Sequence, residues 1–410
     1  MERTILFKAR AVMVLLVAVF TTSTAIGAAK PIDLTFTGTG SSSTVESVTV
    51  TNLTHTDIAA VTLSGTATLR LKDVNFLEGD VNLDKQVGIG DIVAITNVMA
   101  GTDADVNIKD LADVNGDGTV GIGDIVAITN IMAGGSTGGT NVVTMDFHAG
   151  DVLRFEGKSG TMSTLVVNAP KRNHSIPFCF YPCVDAAGNT YPIIEAGGLL
   201  WMAEDLKTDK AEGVSFIPKS RIASWANAAA NNGTSSLALK LDEGDVYYTY
   251  DAAKKALPEG WALPTLGELD AVVKQLGGYD VAGEKMQRAG DDESFLWKLS
   301  TNPDSLQLRI NPKGYIGEDG MLADIDNGYI MTGTLLKQRA LYMKLVDGKK
   351  EGVLTSEGLS RYVGVHVRGV RPAPSPYTDM MVQLCGGNAA GARAAALFKA
   401  EEEGSAEVNP

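Results

Sequence analysis

Apolar and polar residues alternate one for one over much of residues 31–75. Ile32, Leu34 and Phe36 fall on one face, and Val45, Val48 and Val50 follow a glycine- and serine-rich turn. Val61-Thr-Leu63 and Thr66-Ala-Thr-Leu-Arg-Leu71 continue the pattern. A period of two predicts half-buried β-strands. The same texture returns at Val142–Phe147, Val152–Phe155 and Thr161–Val167. Between these stretches the period changes. Asp91–Gly101 places Ile92, Ile95 and Met99 on one helical face with Gly101 as a C-terminal stop, and 124–134 nearly repeats it. The economical reading is one small β-sandwich, residues 30–77 plus 138–170, with a two-helix module at 78–135 inserted between two strands. The ends of the insert are then expected to lie close together. Gly134-Gly-Ser-Thr-Gly-Gly139 marks a flexible exit from it.

The insert is a sentence written twice. Residues 80–101 read DVNLDKQVGIGDIVAITNVMAG and residues 113–134 read DVNGDGTVGIGDIVAITNIMAG, identical at 18 of 22 positions with an offset of 33. Such a repeat marks one supersecondary unit used twice. Each copy carries oxygen-bearing residues at positions 1, 3, 5, 7 and 12 of a twelve-residue loop, the spacing by which a hard cation such as Ca²⁺ is held. In the first copy these are Asp80, Asn82, Asp84, Gln86 and Asp91, and in the second Asp113, Asn115, Asp117, Thr119 and Asp124. Position 7 contributes its backbone carbonyl. Position 6, where the chain turns sharply, is Gly118 in the second copy and Lys85 in the first. The first site is therefore expected to bind calcium more weakly.

No helix-length pattern precedes either loop, so a paired EF-hand is not expected. A loop followed by one helix, twice, resembles the type I dockerin family over residues 78–135. The resemblance implies calcium-dependent folding and docking onto a cohesin-like protein. It also implies partner contacts at loop positions 10 and 11, which are Ile89 and Gly90 in one copy and Ile122 and Gly123 in the other. Near-identity of the copies would allow two symmetry-related docking modes.

At 410 residues the chain has room for two or three domains. With 44% hydrophobic and 20% charged residues, most of it should fold. A net charge of −14 and a pI near 4.8 argue against nucleic acid as a partner. Arg3, Lys8 and Arg10, the apolar run Ala11–Phe20 and the small residues Ala25–Ala29 read as a secretory signal peptide over residues 1–28. No further segment is long and apolar enough to be transmembrane. The protein is thus expected to be exported: secreted, periplasmic or at the cell surface. Of three cysteines, Cys179 and Cys183 could close a small bridge or stay free. His55, His148, His174 and His366 are scattered and promise no ligand cluster, so zinc is not expected.

From Asp185 the texture changes. Asp185-Ala-Ala-Gly-Asn-Thr-Tyr191, Leu200-Trp-Met-Ala-Glu-Asp-Leu206, Tyr248-Thr-Tyr-Asp-Ala-Ala253, Pro258-Glu-Gly-Trp-Ala-Leu-Pro-Thr265 and Val367-Arg-Gly-Val-Arg371 punctuate residues 180–373. Together they resemble the Fibrobacter succinogenes major paralogous domain, while the β-flanks of the insert resemble directly joined stretches in proteins of gut Bacteroidota-type bacteria. The resemblance implies an α+β fold similar to C-type lectin-like folds, with a helix near Leu266–Leu276. Where that family carries a cysteine pair, this chain has Leu257 and Gly369, and Ala262 replaces a usual histidine. Trp201, Trp225, Trp261 and Trp297 are the candidates for stacking on sugars, with Trp201 and Trp261 better read as core. Residues 374–410 form a low-complexity tail. The expected fold class is accordingly multidomain α+β: a β-sandwich, an inserted calcium module, then a lectin-like α+β domain.

No nucleophile–base set, zinc helix or phosphate-cradling glycine loop occurs. No catalytic residues are assigned, and Ca²⁺ at two sites is the only cofactor expected. The chain reads as a non-catalytic, exported protein with calcium loops for docking and a C-terminal binding domain, associated with polysaccharide breakdown. The alternatives are a carbohydrate-binding accessory module, or a surface adhesin in which the calcium module is a rigid spacer. A glycoside hydrolase would need two carboxylates placed across a sugar, which none of the motifs supplies.

Overall fold

The computed structural model describes residues 31–102, 106–135, 141–230, 235–241, 244–287, 297, 306–354 and 358–373. The expected signal peptide, the low-complexity tail, Cys385 and most of the 134–139 linker lie outside the described residues. The fold is mixed α+β and mostly sheet. The described residues fall into two compact units, 75–135 in one and 31–74 with 141–373 in the other. Among them no helix is long and apolar enough to cross a membrane.

The larger unit begins with β1 (Ile32–Gly40), β2 (Ser47–Asn52), β3 (Val61–Ser64) and β4 (Thr68–Asp73). The smaller unit holds α1 (Ile89–Met99), α2 (Val106–Leu111) and α3 (Ile122–Met132). The larger unit resumes with β5 (Val142–Phe147), β6 (Leu153–Ser159), β7 (Met162–Asn168), β8 (His174–Phe180), β9 (Ile193–Ala196) and β10 (Leu199–Met202). One sheet has the order β5-β4-β1-β8, and a second runs β3-β2-β6-β7-β9-β10. Alternate residues of both sheets share one core, with Leu34, Val48, Val50, Leu69, Leu71 and Phe178 fully buried. Phe36 packs against Phe155 at 6.4 Å and against Phe178 at 6.1 Å between ring centres.

Two features differ from the sequence reading. β8 lies beyond the expected sandwich boundary at 170 and pairs in parallel with β1, Leu34 opposite His174 through Gly40 opposite Phe180. Pro177 is tolerated there because β8 is an edge strand. The insert also leaves from β4 and returns into β5, which are parallel neighbours, Thr68 opposite Val142 and Asp73 opposite Phe147. Its attachment points therefore sit at opposite ends of adjoining six-residue strands. They are roughly 20 Å apart at about 3.3 Å per residue, not side by side.

β7 pairs in parallel with β9, so the second sheet continues into the C-terminal region. Gly197 and Gly198, both with φ near +60 to +75°, make the two-residue turn between β9 and β10 that a primed hairpin requires. There follow β11 (Ser215–Pro218), α4 (Ala223–Ala230), β12 (Leu237–Lys240), β13 (Val246–Tyr248), α5 (Tyr250–Ala256), α6 (Leu266–Gln275) and α7 (Tyr279–Met286). The chain closes with β14 (Tyr315–Ile316), β15 (Leu322–Ala323), β16 (Asn327–Leu336), β17 (Arg339–Val346), β18 (Gly352–Leu354), β19 (Leu359–Ser360) and β20 (Val370–Pro372), the last pairing with β10. α6 begins where the motif placed it. The Thr265 hydroxyl accepts from Glu268 N at 3.2 Å and Glu268 accepts from Thr265 N at 2.7 Å, a reciprocal capping box.

The Asp185 motif is a local turn. Asp185 accepts from the backbone N–H groups of Ala187 and Asn189, and the Tyr191 hydroxyl donates to it. Positions 257 and 369 are neighbours, since a Cβ on Gly369 would stand 2.7 Å from Leu257 Cδ2. All four tryptophans are buried, and their indole N–H groups donate to the carbonyls of Ala196, Gly317, Pro182 and Ile310 respectively for Trp201, Trp225, Trp261 and Trp297. Each is core, so none offers a face to a sugar. No disulfide joins Cys179 to Cys183.

Phe178 is packed so closely that a Cβ at Gly157 would meet its ring at 2.6 Å. Phe178→Ala should destabilise the larger unit by about 3–5 kcal/mol. Gly157→Ala should also destabilise it, through overpacking. Urea unfolding followed by tryptophan fluorescence reads both, and an unchanged midpoint for Phe178→Ala would contradict this core.

Candidate functional site

In the repeat unit, α1 and α3 bury equivalent residues: Asp91, Ala94 and Ile95 in one, Asp124, Ala127 and Ile128 in the other. Val81, Leu111 and Ala112 complete the small core. Met99, expected on the buried face, is exposed, as is Met132. Packing through the small Ala94 and Ala127 uses a narrower stripe than the apolar pattern offers. The six-residue α2 precedes the second loop, where the sequence showed no helical pattern.

The loops place the expected residues together. In the first, Asp80 accepts from Asp84 N at 3.0 Å and Lys85 N at 2.9 Å, and Asp84 accepts from Gln86 N at 2.9 Å. Asp91 accepts from Val81 N and Gly88 N, each at 2.7 Å, tying the loop's start to the helix's first turn. The second loop matches it: Asp124 accepts from Asn115 N at 3.0 Å and Gly121 N at 2.7 Å, and Asp113 from Gly118 N at 3.1 Å. The Asn82 and Asn115 side chains donate to Asp84 and Asp117 at 3.0 Å. Hydrogen bonds from the Thr119 hydroxyl and backbone, then from Asn115, hold the Asp117 carboxyl below its usual range. Asp113 Oδ1 is buried without a hydrogen-bond partner.

The copies differ where the backbone is most demanding. Loop positions 4 and 6 have positive φ in both, +60° and +66° at Leu83 and Lys85, +73° and +86° at Gly116 and Gly118. Glycine takes this conformation without a steric cost, whereas leucine and lysine do not. Of the expected partner-facing residues, Ile89 and Ile122 are 73% and 72% exposed. Gly90 and Gly123 are exposed as well. A Cβ there would stand 2.7 and 2.6 Å from the Asn82 and Asn115 amide nitrogens, so the helix start passes directly against the loop.

The larger unit carries a polar cavity of about 310 Å³ lined by Asp205, Asp245, Arg309, Asn311, Lys313 and Arg368 among others. Arg368 donates through Nε to Asp205 at 2.8 Å, and Lys313 donates to Asp245 at 2.8 Å and Asp205 at 3.3 Å. Burial works to raise the Asp205 pKa, but the charges of Arg368 and Lys313 outweigh it and hold the carboxyl well below its ordinary range. Arg368 Nη1 and Asn311 Oδ1 are buried with no hydrogen-bond partner. Behind this group His366 is buried against the Tyr247 ring at 4.2 Å, with neither ring nitrogen hydrogen-bonded.

No family model, curated protein or solved structure matches this chain. The roles of these groups therefore rest on their own geometry. One expectation is corrected by it. Among the described residues, the one set of His, Cys, Asp or Glu side chains whose ligand atoms converge within 4.8 Å is His55, His148 and Asp151. The histidines were expected to be scattered, and folding joins two of them across more than ninety residues. A His-x-x-Asp pair at 148–151 was visible in the sequence, but nothing tied it to His55. The cavity lining gave no signal either, its Asp205 and Arg368 being 163 positions apart.

Burial, only partly opposed by the Asp205 charge, lowers the His366 pKa to about 4, against about 6.5 in an unfolded chain. Below pH 6.5 the unfolded state takes up a proton that the folded state refuses. Stability from this group is therefore full above pH 6.5 and is lost as pH falls towards 4, by about 3 kcal/mol. His366→Leu should flatten the fall in urea midpoint between pH 6.5 and 4. Asp205 adds to the fall only from about pH 5 downward, where its carboxyl in the unfolded chain begins to take up a proton that the folded state refuses.

Proposed function

We propose that this is an exported, non-catalytic protein whose repeat pair binds two calcium ions and docks a protein of the cohesin type in the service of polysaccharide breakdown. The observation that carries it is the same oxygen-ligand spacing, present twice, on loops of matching geometry. Most of the carboxylate oxygens already engaged accept one hydrogen bond, which leaves a lone pair for a cation. Asp113 Oδ1 accepts none. Docking is supported by the apolar residues left outside the small core. Ile89, Val93 and Met99 on α1 and Ile122, Val126 and Met132 on α3 are each at least 45% exposed, and such surface favours a partner. The C-terminal region would supply a second binding surface at the polar cavity. Its unclaimed donor, Arg368 Nη1, and acceptor, Asn311 Oδ1, suit a hydroxyl-rich ligand such as a sugar, although the tryptophans do not.

Calorimetry on EDTA-treated protein should give two calcium-binding events, the second loop being the tighter. Asp124→Ala should abolish the tighter event. Lys85→Gly should strengthen the weaker one about fivefold, since relieving a left-handed lysine is worth roughly 1 kcal/mol where binding and loop folding are coupled. No heat with millimolar Ca²⁺, together with unchanged hydrogen exchange over residues 80–134, would refute the calcium reading. A partner recovered from the cell envelope equally well with EDTA would refute calcium-dependent docking.

A further inference from the structure

We propose that His55, His148 and Asp151 form a binding site for a divalent transition metal such as Zn²⁺, separate from the calcium loops. The three come from two places that the sandwich brings together. His55 follows the end of β2, while His148 and Asp151 flank the turn between β5 and β6. That turn is fixed by Gly150 at φ +100° and by Asp151 N donating to His148 O at 2.9 Å.

The carboxylate is held ready. Asp151 has a side chain only 2% exposed, and its Oδ2 accepts from Asn52 Nδ2 at 2.6 Å and His148 N at 2.9 Å. Asn52, fully buried, spends its own oxygen on Thr54 N at 3.0 Å and His55 N at 2.8 Å. One amide thus orients both the carboxylate and the backbone of the first histidine, the part that outer-sphere groups play around metal ligands. Asp151 Oδ1 faces His55 Nδ1 at 2.7 Å, and Oδ2 lies 3.6 Å from His148 Nδ1.

Two observations point to an ion between them. The imidazole rings lie 4.1 Å apart at 32°, and His148 Nδ1 is buried with no hydrogen-bond partner. A buried, unsatisfied ring nitrogen beside a carboxylate is a cost that metal coordination would remove. In a tetrahedral site with bonds of about 2.0–2.2 Å, ligand atoms stand roughly 3.3 Å from each other. The two nitrogen–oxygen distances, each to a different oxygen of Asp151, straddle that value, and the ligand atoms of all three residues lie within 4.8 Å of one another. Two imidazoles with one carboxylate suit zinc and its neighbours and do not suit calcium, which takes oxygen. Three protein ligands leave a coordination position for water. The histidine side chains are 40% and 37% exposed, so that position opens to solvent.

The test uses the full-length protein, EDTA-treated and dialysed. Calorimetric titration with Zn²⁺, and with Co²⁺ read by its visible absorption, should give one site in the larger unit. His55→Ala and His148→Ala should each weaken it at least tenfold while leaving both calcium events intact. Those residues are exposed enough for the fold to survive their loss, and Asp151→Asn serves as a third variant if it folds. Unchanged metal affinity in both histidine variants would overturn the site. So would an absence of Zn²⁺ and Co²⁺ binding in the wild type, which would leave the three residues as stitching for the turn. Loss of calcium binding with zinc binding retained would refute the docking proposal and not this one.

Discussion

The larger unit is organised by parallel pairing. β1 is parallel to β8, β4 to β5 and β7 to β9, and none of these pairs can be closed by a hairpin. A parallel neighbour needs a crossover of a dozen residues or more. The β4–β5 crossover is where the chain carries the repeat pair, and the β7–β9 pairing is what carries the second sheet into the C-terminal region. Hairpins then fill in locally, as at Gly197-Gly198. The division of the chain into its parts therefore follows from strand direction more than from composition.

Within the repeat unit, duplication fixed everything that the core and the carboxylates require and left the tight turns free to drift. Of the four positions at which the copies differ, two are those with positive φ, Leu83 against Gly116 and Lys85 against Gly118. Both copies keep glycine at 90 and 123, where a Cβ would push against the side-chain amide of the loop asparagine. Sterics thus rank the two loops without any appeal to ligand identity, since the ligand types are nearly the same.

Much of this was legible in the sequence because it is local. Alternation marked β1, β2, β4 and β5, the repeat marked α1 and α3, and the motif ending at Thr265 marked the start of α6. What was not legible depends on distant segments meeting. β8 alternates as regularly as β1, yet its proline and its position past a presumed boundary hid it. Helical periodicity placed Met99 inward, whereas the alanine-lined contact between α1 and α3 left it outside. Trp225 and Trp297 looked free for a ligand, but burial is decided by what folds over a side chain. His55 with Asp151, and Asp205 with Arg368, are pairs that only the closed sheets create.

The two cysteines near the end of β8 tie the chemistry of this segment to the order of folding. Burial pushes the Cys183 thiol far above its ordinary range, and the folded core keeps it out of water. The thiolate is the species that attacks a disulfide or an oxidant. Once the domain has closed, Cys183 is chemically silent even in an oxidising compartment. Any bridge to Cys179 has to be made while the chain is still open, so the oxidation state of this pair is a record of whether folding or oxidation came first.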